Sequence, residues 1–289
     1  MWCGVGRLMG ETVVVILRKL HGWGNDFLVA LDVDQPAGVL STAEVGRLAT
    51  ALCDRRHGLG ADGLIHGAAA ATGSGADAAM VLFNADGGRA EMSGNGIRCL
   101  AHAFLAATGW RDEVVLDTDV GRRVLVPQRP STGVDPVPSI LEIVAPMGPL
   151  GAGPDLSPAA TALIGDRRFM SLDVGNPHVV IEVGDLEAEN LVALGSSLEG
   201  LVPGGVNVEI VTGTPDGVRL RVWERGVGLT EACGTGACAA AGAARTWGLA
   251  GDECSVAMPG GTAIVLLDGD EATLVGPSVL VGTVEVNAA

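Results

Sequence analysis

Basic residues are scarce in this chain: 18 Lys and Arg stand against 34 Asp and Glu, a formal net charge of −16 over 289 residues. A surface of that sign disfavours nucleic acid and anionic membranes as partners. It leaves room for a small anionic ligand, because a cleft carries its own local field. No CxxC pair occurs among Cys3, Cys53, Cys99, Cys233, Cys238 and Cys254, so a zinc ribbon or a thioredoxin-like site has no basis, and no metal is expected. Long apolar runs are also missing. The strongest near the start, residues 13–17, is far short of the roughly 20 residues a membrane-spanning helix needs. No small-residue cleavage site follows it, so a cytoplasmic location is expected. What is left is a globular composition, 48% hydrophobic and 18% charged, in a chain long enough for two domains with separate cores.

One stretch occurs twice. Residues 84–99, NADGGRAEMSGNGIRC, are echoed by residues 224–238, ERGVGLTEACGTGAC. Gly88, Glu91, Gly94 and Gly96 fall on Gly228, Glu231, Gly234 and Gly236 at a constant offset of 140 positions, about half the chain. Two loops of one design half a chain apart imply a duplicated domain with one site between the copies. The aligned reactive position holds Ser93 in the first copy and Cys233 in the second.

The surrounding pattern is α+β. β-branched and apolar runs predict strands over residues 13–20, 27–33, 78–83, 114–116, 123–126, 140–144, 204–211, 218–223, 263–267, 272–275 and 279–286, and two more on either side of the GNPH turn within residues 170–183. Ser41 reads as the cap of a helix through Leu52, and each repeated loop opens a longer helix, over about residues 94–108 and 234–247. In the first of these, Leu100, Ala103, Phe104 and Ala107 form a core-facing stripe. Residues 1–12 have no clear pattern. Residues 127–139 carry four prolines and no apolar period, the best boundary in the chain. The expected division is residues 1–137, with a C-terminal strand at 276–289 returning to them, and residues 138–275. Each is a mixed sheet wrapped around a central helix.

A Gly-x-Gly at a helix start lets a ligand reach backbone N–H groups, and the helix dipole there favours an anion such as a carboxylate. A cysteine in that position, Cys233, is expected to have a lowered pKa and to be partly thiolate. Two such units facing each other would grip one carboxylate and approach the adjacent carbon from opposite faces. One side then removes a proton and the other returns one, as inversion at a carbon acid requires. Neither copy has the full GxGxxG spacing with a downstream acid that nucleotide binding needs. Cys53, Cys99, Cys238 and Cys254 read as small core residues.

Taken together, HGWGNDF (21–27), DRRHGLGADG (54–63), FNADGG (83–88), SGNGIRC (93–99), GNPH (175–178), GGVNVEIV (204–211), WERG (223–226) and ACGTGACA (232–239) resemble the diaminopimelate epimerase family over nearly the whole chain. The resemblance implies two similar domains with the site in the cleft between them. It also implies interconversion of LL- and meso-diaminopimelate in the lysine pathway, without pyridoxal phosphate or metal, by a cytoplasmic enzyme that forms a homodimer. By position Cys233 matches one of the family's two acid/base cysteines. Asn25, Asn84, Asn176, Asn207 and Arg225 match groups that hold the substrate's distal end, with Glu224 beside its amine. Gly94, Asn95, Gly234 and Thr235 match the groups that bind the reacting carboxylate, and His178 matches a histidine lining the site.

Ser93 departs from that pattern, since it stands in the slot of the family's other cysteine. A hydroxyl is a much weaker acid than a thiol, and each pKa unit corresponds to about 1.4 kcal/mol. Cys233 is therefore expected to exchange the α-proton on its own face while inversion is slowed or lost. Two other readings stay open from the residues alone. One is a same-fold isomerase or dehydratase that uses a single cysteine base. The other is a non-catalytic amino-acid binding protein, which the presence of Cys233 in ACGTG argues against.

Overall fold

The computed structural model describes residues 13–36, 40–90, 93–131 and 133–288. The patternless segment 1–12 and the repeat position Glu91 lie outside the described residues. The first half runs β1 (Val13–Gly22), β2 (Asn25–Leu31), α1 (Thr42–Cys53), β3 (Gly63–Ala68), β4 (Ala78–Asn84), β5 (Arg89–Ala90), α2 (Gly94–Thr108), β6 (Val114–Thr118) and β7 (Gly121–Pro127). β8 (Ile140–Pro149), β9 (Gly151–Ala152) and α3 (Pro158–Ile164) follow. The second half runs β10 (Phe169–Asp173), β11 (Pro177–Glu182), α4 (Leu191–Leu201), β12 (Asn207–Thr214), β13 (Gly217–Glu224), β14 (Gly228–Thr230), α5 (Gly234–Trp247), β15 (Glu253–Met258) and β16 (Gly261–Asp268), ending in β17 (Glu271–Ala288).

The halves repeat each other strand by strand. An antiparallel pair (β1–β2, β10–β11) is followed by a helix and then a strand parallel to the second member (β3, β12). An antiparallel partner (β4, β13) and a short strand (β5, β14) lead into the central helix. The chain then returns parallel to that partner (β6, β15) and turns back antiparallel (β7, β16). β8 and β17 close both halves. β8 pairs with β7 and with β17, and its continuation β9 pairs with β10. β17 pairs first with β16 and β8, then along its second half with β1. Two eight-stranded rings result, sharing the β8–β17 pair, with α2 inside one and α5 inside the other.

Being inside a ring explains the central helices' composition. The expected stripe on α2 is present at Leu100, Ala103 and Phe104, but every residue from Gly94 to Leu105 is buried, including Asn95, Arg98 and His102. A helix enclosed by a barrel has no solvent face. α5 is buried from Gly234 to Ala244, and its alanines let the strands approach closely. α1 covers the outside of the first ring, packing Val45, Ala49 and Cys53 on Leu28, Ala30 and Leu64. α3 and α4 do the same for the second, over Val179, Ile181, Val208 and Ile210. Strands β2 and β11 are thus buried on both faces, which is why they are continuous apolar runs rather than alternating ones. The helices α3 and α4 and the strand β15 go beyond the elements expected from sequence. Their signals were short: Ser157 caps α3 with Pro158 at its first position, and Asn190 caps α4.

Candidate active site

The two repeated loops fold alike. Ser93 caps α2 with φ −141° and ψ 119°, and its Oγ accepts from the Gly96 N–H at 3.0 Å. Cys233 caps α5 with φ −127° and ψ 118°, and its Sγ accepts from the Gly236 N–H at 3.4 Å. The next two N–H groups of each helix, those of Gly94, Asn95, Gly234 and Thr235, find no partner among the described residues. The helix starts touch: a Cβ on Gly94 would lie 3.1 Å from the Gly234 Cα. Two positive helix ends and four unpaired donors thus converge on one space, a site for an anion.

That space is a cleft of about 320 Å³. Ser93, Gly94 and Asn95 line it from α2, and Cys233, Gly234 and Thr235 from α5. Asn25, Asn84, Asn176, Asn207, Glu224 and Arg225 complete the wall. The asparagines differ in what they have left to offer. Asn95 donates through Nδ2 to Asn25 Oδ1 at 3.0 Å and to the Ala232 carbonyl at 3.2 Å, while its Oδ1 accepts from Arg98. Its side chain is fully used, so only its backbone N–H can serve a ligand. Asn207 ties β11 to the start of the second loop, donating to Pro177 O and accepting from the Arg225 N–H, both at 2.9 Å. The Asn84 amide has no partner among the described residues, and Asn176 uses only its Oδ1, which accepts from His178 Nε2 at 2.9 Å. Those two amides face the cleft with hydrogen-bonding capacity to spare.

Cys233 departs from its expected ionisation. It is 4% exposed, and burial, reinforced by the carboxylates of Glu224 and Glu209, pushes its thiol well above the ordinary cysteine value. Thr235 Oγ1 at 3.4 Å and the Gly236 N–H pull the other way but are outweighed. A helix start alone argues for a thiolate, but burial and two nearby carboxylates reverse that. Glu224 is itself raised by burial, while the Thr230 hydroxyl and the Cys233 thiol donate to it. At rest Cys233 is a thiol beside the Glu224 carboxyl group.

His178, expected to line the site, is fully buried one layer behind it. Its neighbours explain the position: Nε2 meets Asn176, and Nδ1 meets Glu209 Oε1 at 2.7 Å. His178 therefore orients an amide rather than facing a ligand. Glu209 escaped the sequence reading. It lies in GGVNVEIV, fully buried between the apolar Val208 and Ile210, and a Cβ on Gly236 would sit 2.6 Å from its Oε1. Asp62 is a second omission. It lies in DRRHGLGADG and holds Asn25 Nδ2 at 2.8 Å. Among the described residues no group of three or more His, Cys, Asp or Glu side chains is placed to hold a metal ion. No helix there is long and apolar enough to cross a membrane.

The duplicated barrels, each closed around its own helix, define the class of fold. A hydroxyproline epimerase from Agrobacterium vitis superposes with a TM-score of 0.70 at 20% identity, covering 95% of this chain and 92% of that one. A phenazine biosynthesis protein from Bacillus anthracis gives 0.70 at 16%, covering 95% and 99%. The diaminopimelate epimerase profile matches residues 17–130 and 170–285. Diaminopimelate epimerases of Mycolicibacterium smegmatis and Rhodococcus opacus are each 40% identical, over 94% and 92% of this chain and 97% and 94% of their own length. The chain belongs to the diaminopimelate epimerase family.

Proposed function

We propose that the cleft interconverts LL- and meso-diaminopimelate by removing the α-proton on one face and returning one on the other. The observation that carries this reading is the pairing of Ser93 and Cys233 as matched caps of two helices whose starts meet. A carboxylate bound by the N–H groups of Gly94, Asn95, Gly234 and Thr235 presents its α-carbon between the two caps. Glu224 takes the Cys233 proton, and the thiolate so formed removes the α-proton. Negative charge then moves into the carboxylate, where the four donors and two helix dipoles stabilise it. The distal carboxylate of the substrate fits Arg225 and the Asn176 amide, and the Asn84 carbonyl oxygen beside Glu224 can accept from its ammonium. Side chains alone perform the transfer, with no cofactor or metal.

Ser93 supplies the opposite face. Its hydroxyl has no acid or base bonded to it among the described residues, only the Gly96 N–H, so proton delivery there limits the rate. We assign the two lobes to residues 1–137 with 276–289 and to residues 138–275. A homodimer is supported by exposed Val126, Ile140 and Val281 on the neighbouring strands β7, β8 and β17. The acidic surface fits a cytoplasmic enzyme of small molecules rather than a nucleic-acid or membrane protein. Chiral separation of the two isomers after incubation tests the reading. Formation of meso- from LL-diaminopimelate, abolished by Cys233→Ala, is expected. No conversion by either the native chain or its Ser93→Cys variant would refute it.

A further inference from the structure

Arg98 is the largest fully buried side chain among the described residues. It lies one turn into α2, directly behind the cleft wall. Its Nη1 donates to the Gly94 carbonyl at 2.8 Å and its Nη2 to Asn95 Oδ1 at 2.7 Å. The Trp23 ring stacks on it at 4.4 Å, and its Nε finds no acceptor. Among the described residues no carboxylate pairs with it. Asp26 is taken by Lys19 and Arg55, and Glu209 by His178. The titratable groups that face it are buried thiols, Cys99 on α2 and Cys238 on α5, pushed up to about 11 and about 12. Both are neutral at physiological pH. Burial lowers Arg98 to about 10, which still leaves it charged. An interior cation without an anion is costly, and folded proteins rarely keep one unless something compensates it.

The two atoms that Arg98 holds belong to Gly94 and Asn95, residues of the cleft itself. By occupying Asn95 Oδ1 it also commits Asn95 Nδ2 to Asn25 in the first half and to Ala232 in the second. We propose that Arg98 is the cleft's resident counter-charge: a buried guanidinium with no carboxylate beside it among the described residues, compensated when a carboxylate binds against the two helix starts. The inference rests on the cleft taking an amino-acid carboxylate. Arg98 touches no ligand, so it is a positioning and electrostatic residue acting through the Gly94–Asn95 turn. In a dry interior its field is little screened by salt. It acts most strongly when the α-proton leaves and the carboxylate gains charge, so it favours the transition state over the ground state.

The competing role is packing, since Trp23 also fills the joint between halves: side chains added at Gly261 or Gly276 would overlap its ring. Calorimetric binding of a pre-equilibrated mixture of LL- and meso-diaminopimelate, and of glutarate as a dicarboxylate without amines, separates the two roles. Arg98→Gln should weaken both ligands by about 30-fold or more, because a buried charge contact is lost. Trp23→Leu, which keeps the charge, should stay within about threefold while melting earlier. Arg98→Lys should bind within about tenfold near neutrality. It should then lose affinity relative to the native protein as pH rises from about 7 to about 9, because a buried lysine gives up its proton well below its ordinary value while Arg98 is still charged there. If Arg98→Gln does not fold, that pH profile decides alone. Arg98→Gln binding as tightly as the native protein, equal losses in Arg98→Gln and Trp23→Leu, or an Arg98→Lys profile parallel to the native one would overturn the proposal. Native protein that binds glutarate but not diaminopimelate would refute the substrate reading and leave Arg98 standing, whereas binding of neither ligand overturns both.

Discussion

Gly94 and Gly234 hold the two halves of the site in backbone contact: a methyl group on Gly234 would stand 3.0 Å from the Gly94 Cα and 2.9 Å from Leu274. Two helices that begin this close bring positive dipole ends together, an arrangement a bound anion relieves. Gly234→Ala must force the helix starts apart. The expected loss is about 100-fold in kcat/KM, from sub-ångström misplacement of reacting groups, with about 1–3 kcal/mol of stability lost to overpacking. Steady-state kinetics and denaturant midpoints on the same preparation check both.

The cleft's asparagines should separate into two kinds. Asn84→Ala removes an amide with no partner among the described residues, so KM is expected to rise about tenfold or more with little change in melting temperature. Asn176→Ala raises KM similarly but also leaves the buried His178 Nε2 without its acceptor and melts earlier. Asn95→Ala and Asn207→Ala remove side chains already committed within the protein, so they are expected to lose about 1–3 kcal/mol of stability along with activity. Thermal melts beside the kinetics show the difference.

Alkylation of Cys233 reports its raised pKa. Carboxylates and burial both favour the thiol, so the free enzyme should react slowly with iodoacetamide at neutral pH. The rate should keep climbing with pH beyond the range in which an ordinary cysteine has finished titrating. Glu224→Gln removes the larger of the two carboxylate contributions, which lowers the thiol pKa and speeds modification at neutral pH. Peptide mapping assigns the label to Cys233. An unchanged rate in Glu224→Gln would contradict the electrostatic assignment.

How much of this was legible in the sequence follows from the range of each signal. The Gly-x-Gly repeat is local, so the two central helices and their caps could be read, and the doubly buried strands β2 and β11 show as apolar runs. Ring closure by β8 and β17 could not be read in detail, because it depends on register between strands more than a hundred residues apart, such as Ile143 opposite Gly276. The covering helices α3 and α4 are short, with modest caps among glycines and alanines. Within the site, the repeated loops marked Ser93 and Cys233. Glu209 and Arg98 were hidden because each is a lone charge inside an apolar run, and only the folded chain shows what lies beside it. The ionisation of Cys233 was misjudged for the same reason: its helix start is visible in sequence, but its burial and the carboxylates of Glu224 and Glu209 arrive only with the fold.

The difference between the two faces of the site is tested most directly by incubating each isomer of diaminopimelate in D2O and following deuterium uptake at the α-carbon alongside inversion. The isomer whose α-hydrogen faces Cys233 should take up deuterium at least about tenfold faster than it inverts, because a thiol serves that face and a far weaker acid serves the other. Ser93→Cys should bring inversion up to the exchange rate. Native protein that inverts as fast as it exchanges, with no gain in Ser93→Cys, would contradict the account.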